Sequence, residues 1–265
     1  MKNLYLAILF LLPQVAFSKV LLVSDMDDTI KVSHVLDVDS AIANARQTKN
    51  AFMGMPELYQ SLVKIPEATE FHYLSSAPRK LMLYLHHFFL WQNDFPSGRL
   101  VLNNKLIDSE HKITSLRKMI AEFNPTKMIL IGDNGERDAE VYAQIRKEFP
   151  HIGGETYIHM AYSQEGFEKN EGKPLQKGQI AWATSIDLAY DLLKKGYITE
   201  ADYKRLVESV ESRALSEDPY VERRQQMMFP AWFDCRDFQV PVLPLISQEL
   251  QTKIEDRCDR EPYDD

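Results

Sequence analysis

Two acids one residue apart, Asp25 and Asp27, close the apolar run Val20-Leu21-Leu22-Val23-Ser24, and Asp28 and the hydroxyl of Thr29 follow them. A strand made of Val and Leu is one buried on both faces of a parallel sheet, and its carboxyl end opens on the crevice where such sheets bind ligands. Asp is poor strand material and unpaired carboxylates are costly to bury, so the cluster is expected to compensate a cation, magnesium being the natural candidate. A second acidic turn, Gly132-Asp133-Asn134-Gly135-Glu136-Arg137-Asp138, follows the run Lys127 to Ile131. Two strand-end acidic loops in one parallel sheet converge on one crevice. Between them stand Ser75, at the end of the run Phe71 to Leu74, and Lys112, near the start of a helix. Acids that hold a divalent ion, with a hydroxyl and an ammonium nearby, suit phosphate chemistry. Ser76 offers the same chemistry as Ser75, Lys105 and Lys118 compete with Lys112, and Asp138 also suits the first turn of any helix.

The elements that position these groups follow from periodicity. Short apolar runs at Val20 to Ser24, Phe71 to Leu74, Leu100 to Leu102, Lys127 to Ile131 and Glu155 to His159 read as strands. Segments at Pro56 to Lys64, Arg79 to Trp91, Glu110 to Phe123 and Arg137 to Phe149 read as helices, closed by Pro66, Pro96, Pro125 and Pro150. The helix from Lys80 to Trp91 is apolar nearly all round; core packing is expected for it, with contact to a lipid surface the alternative. Beyond Lys173 the pattern changes to two helices, Ser185 to Lys195 and Ala201 to Ser212, with Thr199 as a cap. The acid-rich end, Glu255 to Asp265, reads as a solvated tail. The gaps from Asp25 to Ser75 and from Ser75 to Lys112 leave no room for a large cap domain. The loop Val32 to Asn50 is the best candidate for a small flap over an otherwise open crevice.

The chain has 265 residues, 45% hydrophobic and 26% charged, an ordinary globular balance. Its 31 basic against 39 acidic side chains give a net charge of -8, which disfavours nucleic acid as a partner and repels anionic surfaces at long range. No apolar stretch reaches the roughly 18 to 20 residues of a spanning helix. Lys2, the run Leu4 to Leu12, Pro13 and Ala16-Phe17-Ser18 instead have the form of a signal peptide cleaved after Ser18, which sends the protein to the periplasm or the medium. The alternative is a short buried element of a cytosolic protein. Cys235 and Cys258 are the two cysteines, and an oxidising compartment would let them pair, unless both stay free. The histidines, with His86 and His87 adjacent rather than at a ligand spacing, read as structural or surface groups.

Asp25-x-Asp27-x-Thr29, a strand-end Ser75, Lys112, and Gly132-Asp133 with Asp138 resemble, in order, the four motifs of the haloacid dehalogenase superfamily of phosphatases and phosphotransferases. The stretches Ser24 to Lys31, Met53 to Tyr59, Phe71 to Pro78 and Leu130 to Asp138 are similar to one branch, the catalytic domain of the actin-patch-protein type phosphatidate phosphatases. Ala77-Pro78-Arg79 stands where that branch has an aromatic, which implies a different substrate-side surface. The resemblance implies an α/β fold, a three-layer Rossmann-like sandwich around a central parallel sheet with a minimal cap. Residues 19–165 would form the phosphatase domain, after a signal peptide at 1–18, and 166–265 a C-terminal helical accessory region. It also implies that Asp25 is the nucleophile and Asp27 the general acid and base. Ser75 and Lys112 would hold the phosphoryl group. Magnesium would sit on the Asp25 carboxylate, the Asp27 carbonyl and Asp133. Thr29 would support the first loop, and Asp138 would position Lys112 or a metal-bound water. The substrate implied is a phosphomonoester, phosphatidate-like lipid first. A broad-specificity small-molecule phosphatase and a binding or effector protein without turnover are the alternatives.

Overall fold

The computed structural model describes residues 18–65, 68–165, 171–217 and 226–259. Strands β1 (Lys19–Ser24), β2 (Ala68–Pro78), β3 (Arg99–Asn103), β4 (Lys127–Asp133), β5 (Thr156–His159) and β6 (Ile180–Trp182) form one sheet in the order β3-β2-β1-β4-β5-β6. Every neighbouring pair is parallel. The chain leaves β1 toward β2 and leaves β4 toward β5, so the order reverses between β1 and β4, and a crevice opens there at the carboxyl edge. Ser24 pairs with Ile131 across that junction, and the Asp25 amide donates to the Ile131 carbonyl at 2.8 Å.

Alternation along the central strands builds two cores. Val20, Leu22, Ile129 and Ile131 face one side, under α2 (Met55–Leu62), α3 (Arg79–Gln92), α6 (Ser185–Lys194), α7 (Glu200–Leu215) and α8 (Gln248–Asp259). Leu21, Val23, Met128 and Leu130 face the other, under α4 (His111–Phe123) and α5 (Asp138–Glu148). The result is the expected α/β sandwich with helices on both faces.

Several expectations change. The region after residue 166 is not only helical: β6 joins the sheet beside β5, and Ile186, Val210 and Leu250 share a core with Val20. Three residues are too few for strand periodicity to register. Glu255 to Asp259 belong to α8, where Cys258 is buried and bonded to Cys235 with Cα atoms 4.6 Å apart; 260–265 lie outside the described residues. The segment 32–50 contains a short helix, α1 (Val38–Ala45), with no buried residue. The cap expected at Thr199 is present, its hydroxyl accepting from the Asp202 amide. The largest correction concerns α3, which buries His86, Phe89 and Leu90 while Leu81, Tyr84, Phe88 and Trp91 stay exposed. An all-round apolar helix carries no signal for which side it buries. The segment read as a signal peptide lies outside the described residues, save Ser18.

Candidate active site

The end of β1 delivers Asp25 to the crevice, where it is almost wholly buried. Its Oδ1 accepts from Lys112 Nζ at 2.6 Å, and its Oδ2 from the Thr29 hydroxyl at 3.2 Å. Lys112, in the first turn of α4, donates equally to Asp138 Oδ1 at 2.6 Å, and Glu136 Oε2 stands 3.6 Å away. Asp138 opens α5 after the turn that leaves β4. Gly132 makes this approach feasible, since a Cβ there would lie 2.4 Å from Asp138 Oδ2. Asp133, at the end of β4, turns Oδ1 back to the amides of Gly135 and Glu136, at 2.6 and 3.1 Å.

Asp25, Asp133 and Asp138 each present one oxygen, all within 4.8 Å of one another. Asp133 Oδ2 and Asp138 Oδ2 are buried and accept no hydrogen bond. Burial, with the neighbouring carboxylates and against the pull of Lys112, holds the Asp25 and Asp133 carboxyls well above the usual range. Burial would lower the Lys112 ammonium, but Asp138 and Asp25 outweigh it and raise it. Three carboxylates against one ammonium leave an excess of negative charge in a dry pocket, and two oxygens there lack donors. This donor set fits a divalent cation with oxygen ligands.

Asp27 is two residues from Asp25 but sits in a different clamp. Its Oδ1 accepts from the Ser33 hydroxyl at 2.6 Å and from Lys31 Nζ at 3.4 Å. Its Oδ2 accepts from the Ser75 hydroxyl at 3.4 Å and faces His86 Nε2 at 3.8 Å. Burial alone would raise this carboxyl, but Lys31, His86 and Ser33 hold it well below the usual range. Its side chain is thus outside the carboxylate trio, which leaves the Asp27 backbone carbonyl as the group to consider for a metal. Asp28, counted in the sequence with the cation-compensating cluster, points elsewhere. Its carboxylate accepts from the amides of Ser33, His34 and Val35, at 2.8, 2.8 and 2.7 Å, and from the Tyr162 hydroxyl at 2.5 Å. Burial nevertheless pushes it up to about 6. Asp28 therefore anchors the start of the 32–50 segment, which Lys31 also reaches through the Asn44 carbonyl.

The expected residues Asp25, Asp27, Thr29, Ser75, Lys112, Asp133 and Asp138 all come to one crevice. Asp138 bonds Lys112, one of its two expected roles, and also stands among the carboxylates that face the gap. Ser76 is near as well: it lines a cavity of about 350 Å³ beside Lys112, with Asn103, Ile107, Glu136 and Arg137. Sequence reasoning missed Lys31, Ser33, His86 and Glu136. Lys31 and Glu136 both stood inside the stretches Ser24 to Lys31 and Leu130 to Asp138. His86 reaches Asp27 only through the packing of α3, and no local spacing signals that.

The sequence profile of the catalytic domain of phosphatidate phosphatase APP1 matches residues 20–159, a span that contains every residue of this crevice. The chain belongs to that family. Over 149 residues it is 26% identical to phosphatidate phosphatase APP1 of Saccharomyces cerevisiae, covering 49% of this chain and 24% of that protein. Over 141 residues it is 26% identical to an uncharacterised protein of Schizosaccharomyces pombe, covering 49% of this chain and 23% of that one. The chain matches about a quarter of the length of these curated relatives. The sheet order and flanking helices are those of a Rossmann-like sandwich, consistent with a haloacid dehalogenase-like placement of the family.

Proposed function

We propose that the protein is an exported, magnesium-dependent phosphomonoesterase that works through an aspartyl phosphate on Asp25, with phosphatidate-type lipid as its substrate class. The observation that carries this reading is the buried trio Asp25, Asp133 and Asp138, with two donorless oxygens beside Lys112. The Asp25 and Asp133 carboxylates would hold the cation, with Asp138 beside them; bound there, it would supply charge neutralisation for the phosphoryl oxygens. The chain's own groups account for the remaining chemistry.

Asp25 attacks phosphorus, forming a carboxyl O–P bond as the ester P–O bond breaks. Asp27 gives its proton to the departing oxygen. With no phosphoryl group present Asp27 is held ionised, but an arriving phosphoryl dianion favours its protonated form. In the second displacement Asp27 takes a proton from water as that water attacks the aspartyl phosphate, returning free Asp25 and inorganic phosphate. Lys112 and Ser75 hold the phosphoryl oxygens, and Lys112 can do so because Asp138 keeps it charged and aimed. Export is supported by the amino-terminal pattern at Lys2, Leu4 to Leu12 and Ala16 to Ser18, and by the Cys235–Cys258 bond, which suits an oxidising compartment.

The test is phosphate release from an aryl phosphate and from phosphatidate vesicles, with and without magnesium, for the parent and Asp25→Asn. Magnesium-dependent release that Asp25→Asn abolishes is the expected result; equal rates in parent and variant would refute the proposal. A higher kcat/KM on soluble sugar phosphates than on phosphatidate vesicles would replace lipid as the substrate class while leaving the chemistry in place.

A further inference from the structure

Helix α3 has two faces, and they divide sharply. At 100° per residue, Leu81, Tyr84, Phe88 and Trp91 fall within about 80° of one another, while His86, Phe89 and Leu90 point the opposite way. The second set is buried; the first is 65%, 86%, 47% and 72% exposed. The stripe is not an isolated blemish. Among the described residues ten large hydrophobics are exposed, and eight of them lie on segments that border the crevice. Four are on α3, whose inner residue His86 faces Asp27 at 3.8 Å. Val38 and Ile42 are on α1, whose Asn44 accepts from Lys31 and donates to Ser33. Leu106 and Ile107 line the cavity beside Lys112.

We propose that this rim is a docking surface for a lipid bilayer, with the outer face of α3 lying in the headgroup layer and Lys80, at the edge of that face, meeting anionic headgroups. The charge pattern favours this occupant. The chain carries -8 overall, yet α3, Arg79 to Gln92, holds two basic residues and no acid. An interfacial helix pairs an apolar aromatic face with basic residues in this way, and Tyr and Trp favour the headgroup level because their rings are apolar with one polar atom. Scattered exposed hydrophobics need no explanation, but a contiguous stripe at the mouth of a site does. The surface is also continuous with the crevice: only the helix diameter, about 10 Å, separates the stripe from the groups that face Asp27. A phosphomonoester whose acyl chains remain in the bilayer can reach Asp25 only if the rim of the crevice meets the membrane surface. In that respect the inference rests on the lipid reading given above, although docking itself is measured without catalysis.

The experiment is co-sedimentation of the full chain with vesicles of phosphatidylcholine alone and with added phosphatidylserine, an anionic lipid that is not a phosphomonoester. Binding is expected to rise with phosphatidylserine and to fall with salt. Tyr84→Glu with Trp91→Glu should cut vesicle partition at least about tenfold. Lys80→Gln should lower the phosphatidylserine and salt dependence. Both variants should keep the parent's thermal midpoint and its rate on a soluble aryl phosphate, and lose kcat/KM on phosphatidate vesicles. Parent protein that ignores both vesicle types, or variants that bind as the parent does, would overturn the proposal. So would a parent dimer that Trp91→Glu converts to monomer, because the stripe would then be an interface between copies. Vesicle binding without phosphatase activity on any phosphomonoester would refute the proposed function and leave the docking surface standing.

Discussion

Asp187 at the start of α6 and Asp133 at the end of β4 are both buried carboxylates, and they are buried for different ends. Asp187 is saturated: it accepts from the amides of Ala183 and Thr184, at 2.9 and 2.6 Å, and from the Thr184 hydroxyl at 2.5 Å. It closes a capping box, a device that satisfies the open amides of a helix start. Asp133 uses one oxygen to shape its own turn and leaves the other without a donor, and one of its carboxylate oxygens lies within 4.8 Å of oxygens of Asp25 and Asp138. Burial alone does not mark a site. An unfilled lone pair that converges with others does, because a purely structural arrangement would leave that desolvation cost unrecovered.

Substitutions should separate the two kinds of acid, and the largest effect belongs to the crevice. Asp25→Asn should lower kcat by about a thousandfold or more while the fold persists. Lys112→Met comes next. It leaves Asp25 and Asp138 as uncompensated buried charges, so a loss of about 3 kcal/mol in urea unfolding should accompany the loss of activity. Asp133→Asn should weaken divalent-ion binding by about 10- to 100-fold, read by calorimetric titration, at little cost in stability.

The smallest effect should fall on Asp187. Asp187→Asn should lower stability by about 1 to 2 kcal/mol at pH 7 and leave kcat unchanged. Its pH dependence is a sharper check. Burial pushes the Asp187 carboxyl up to about 6, against a usual value of 3.8. Between those values the folded state holds a proton that the unfolded state has released, so this group makes stability fall as pH rises from about 4 to 6. The variant lacks that titration, so the gap between parent and variant should narrow by roughly 2 to 3 kcal/mol between pH 4 and pH 7. A constant gap would show that Asp187 is ionised throughout, and the contrast with the crevice would lose its electrostatic basis.

Much of this arrangement was legible in the sequence because it is local. The Val/Leu run that ends in Asp25, the second run that ends in Gly132-Asp133 and the prolines after each helix are short-range signals, and the structure places strands and helices within a few residues of them. The carboxyl-edge rule then brought the two acidic loops together. What escaped depends on packing between distant segments. His86 meets Asp27 only because α3 lies over the first loop, whereas Lys31, four residues from Asp27, reaches it through the fold of that loop itself. The exposed face of α3 was hidden by its own uniformity, since Leu, Tyr, Phe and Trp on every side give no orientation. Strand β6 is too short to show alternation, and the end of α8, Glu255 to Asp259, is acid-rich enough to read as a tail until Cys258 is seen to be buried.

The proposed mechanism turns on Asp25 as the nucleophile that receives the phosphoryl group. Rapid acid quench of the magnesium-loaded protein during turnover of a phosphomonoester, followed by peptide mass spectrometry, tests this directly. The predicted result is one added phosphoryl group on the peptide that contains Asp25, absent in Asp25→Asn and accumulating when Asp27→Asn slows its hydrolysis. Turnover with no phosphorylated peptide at any quench time, or a phosphoryl group on another residue, would contradict it.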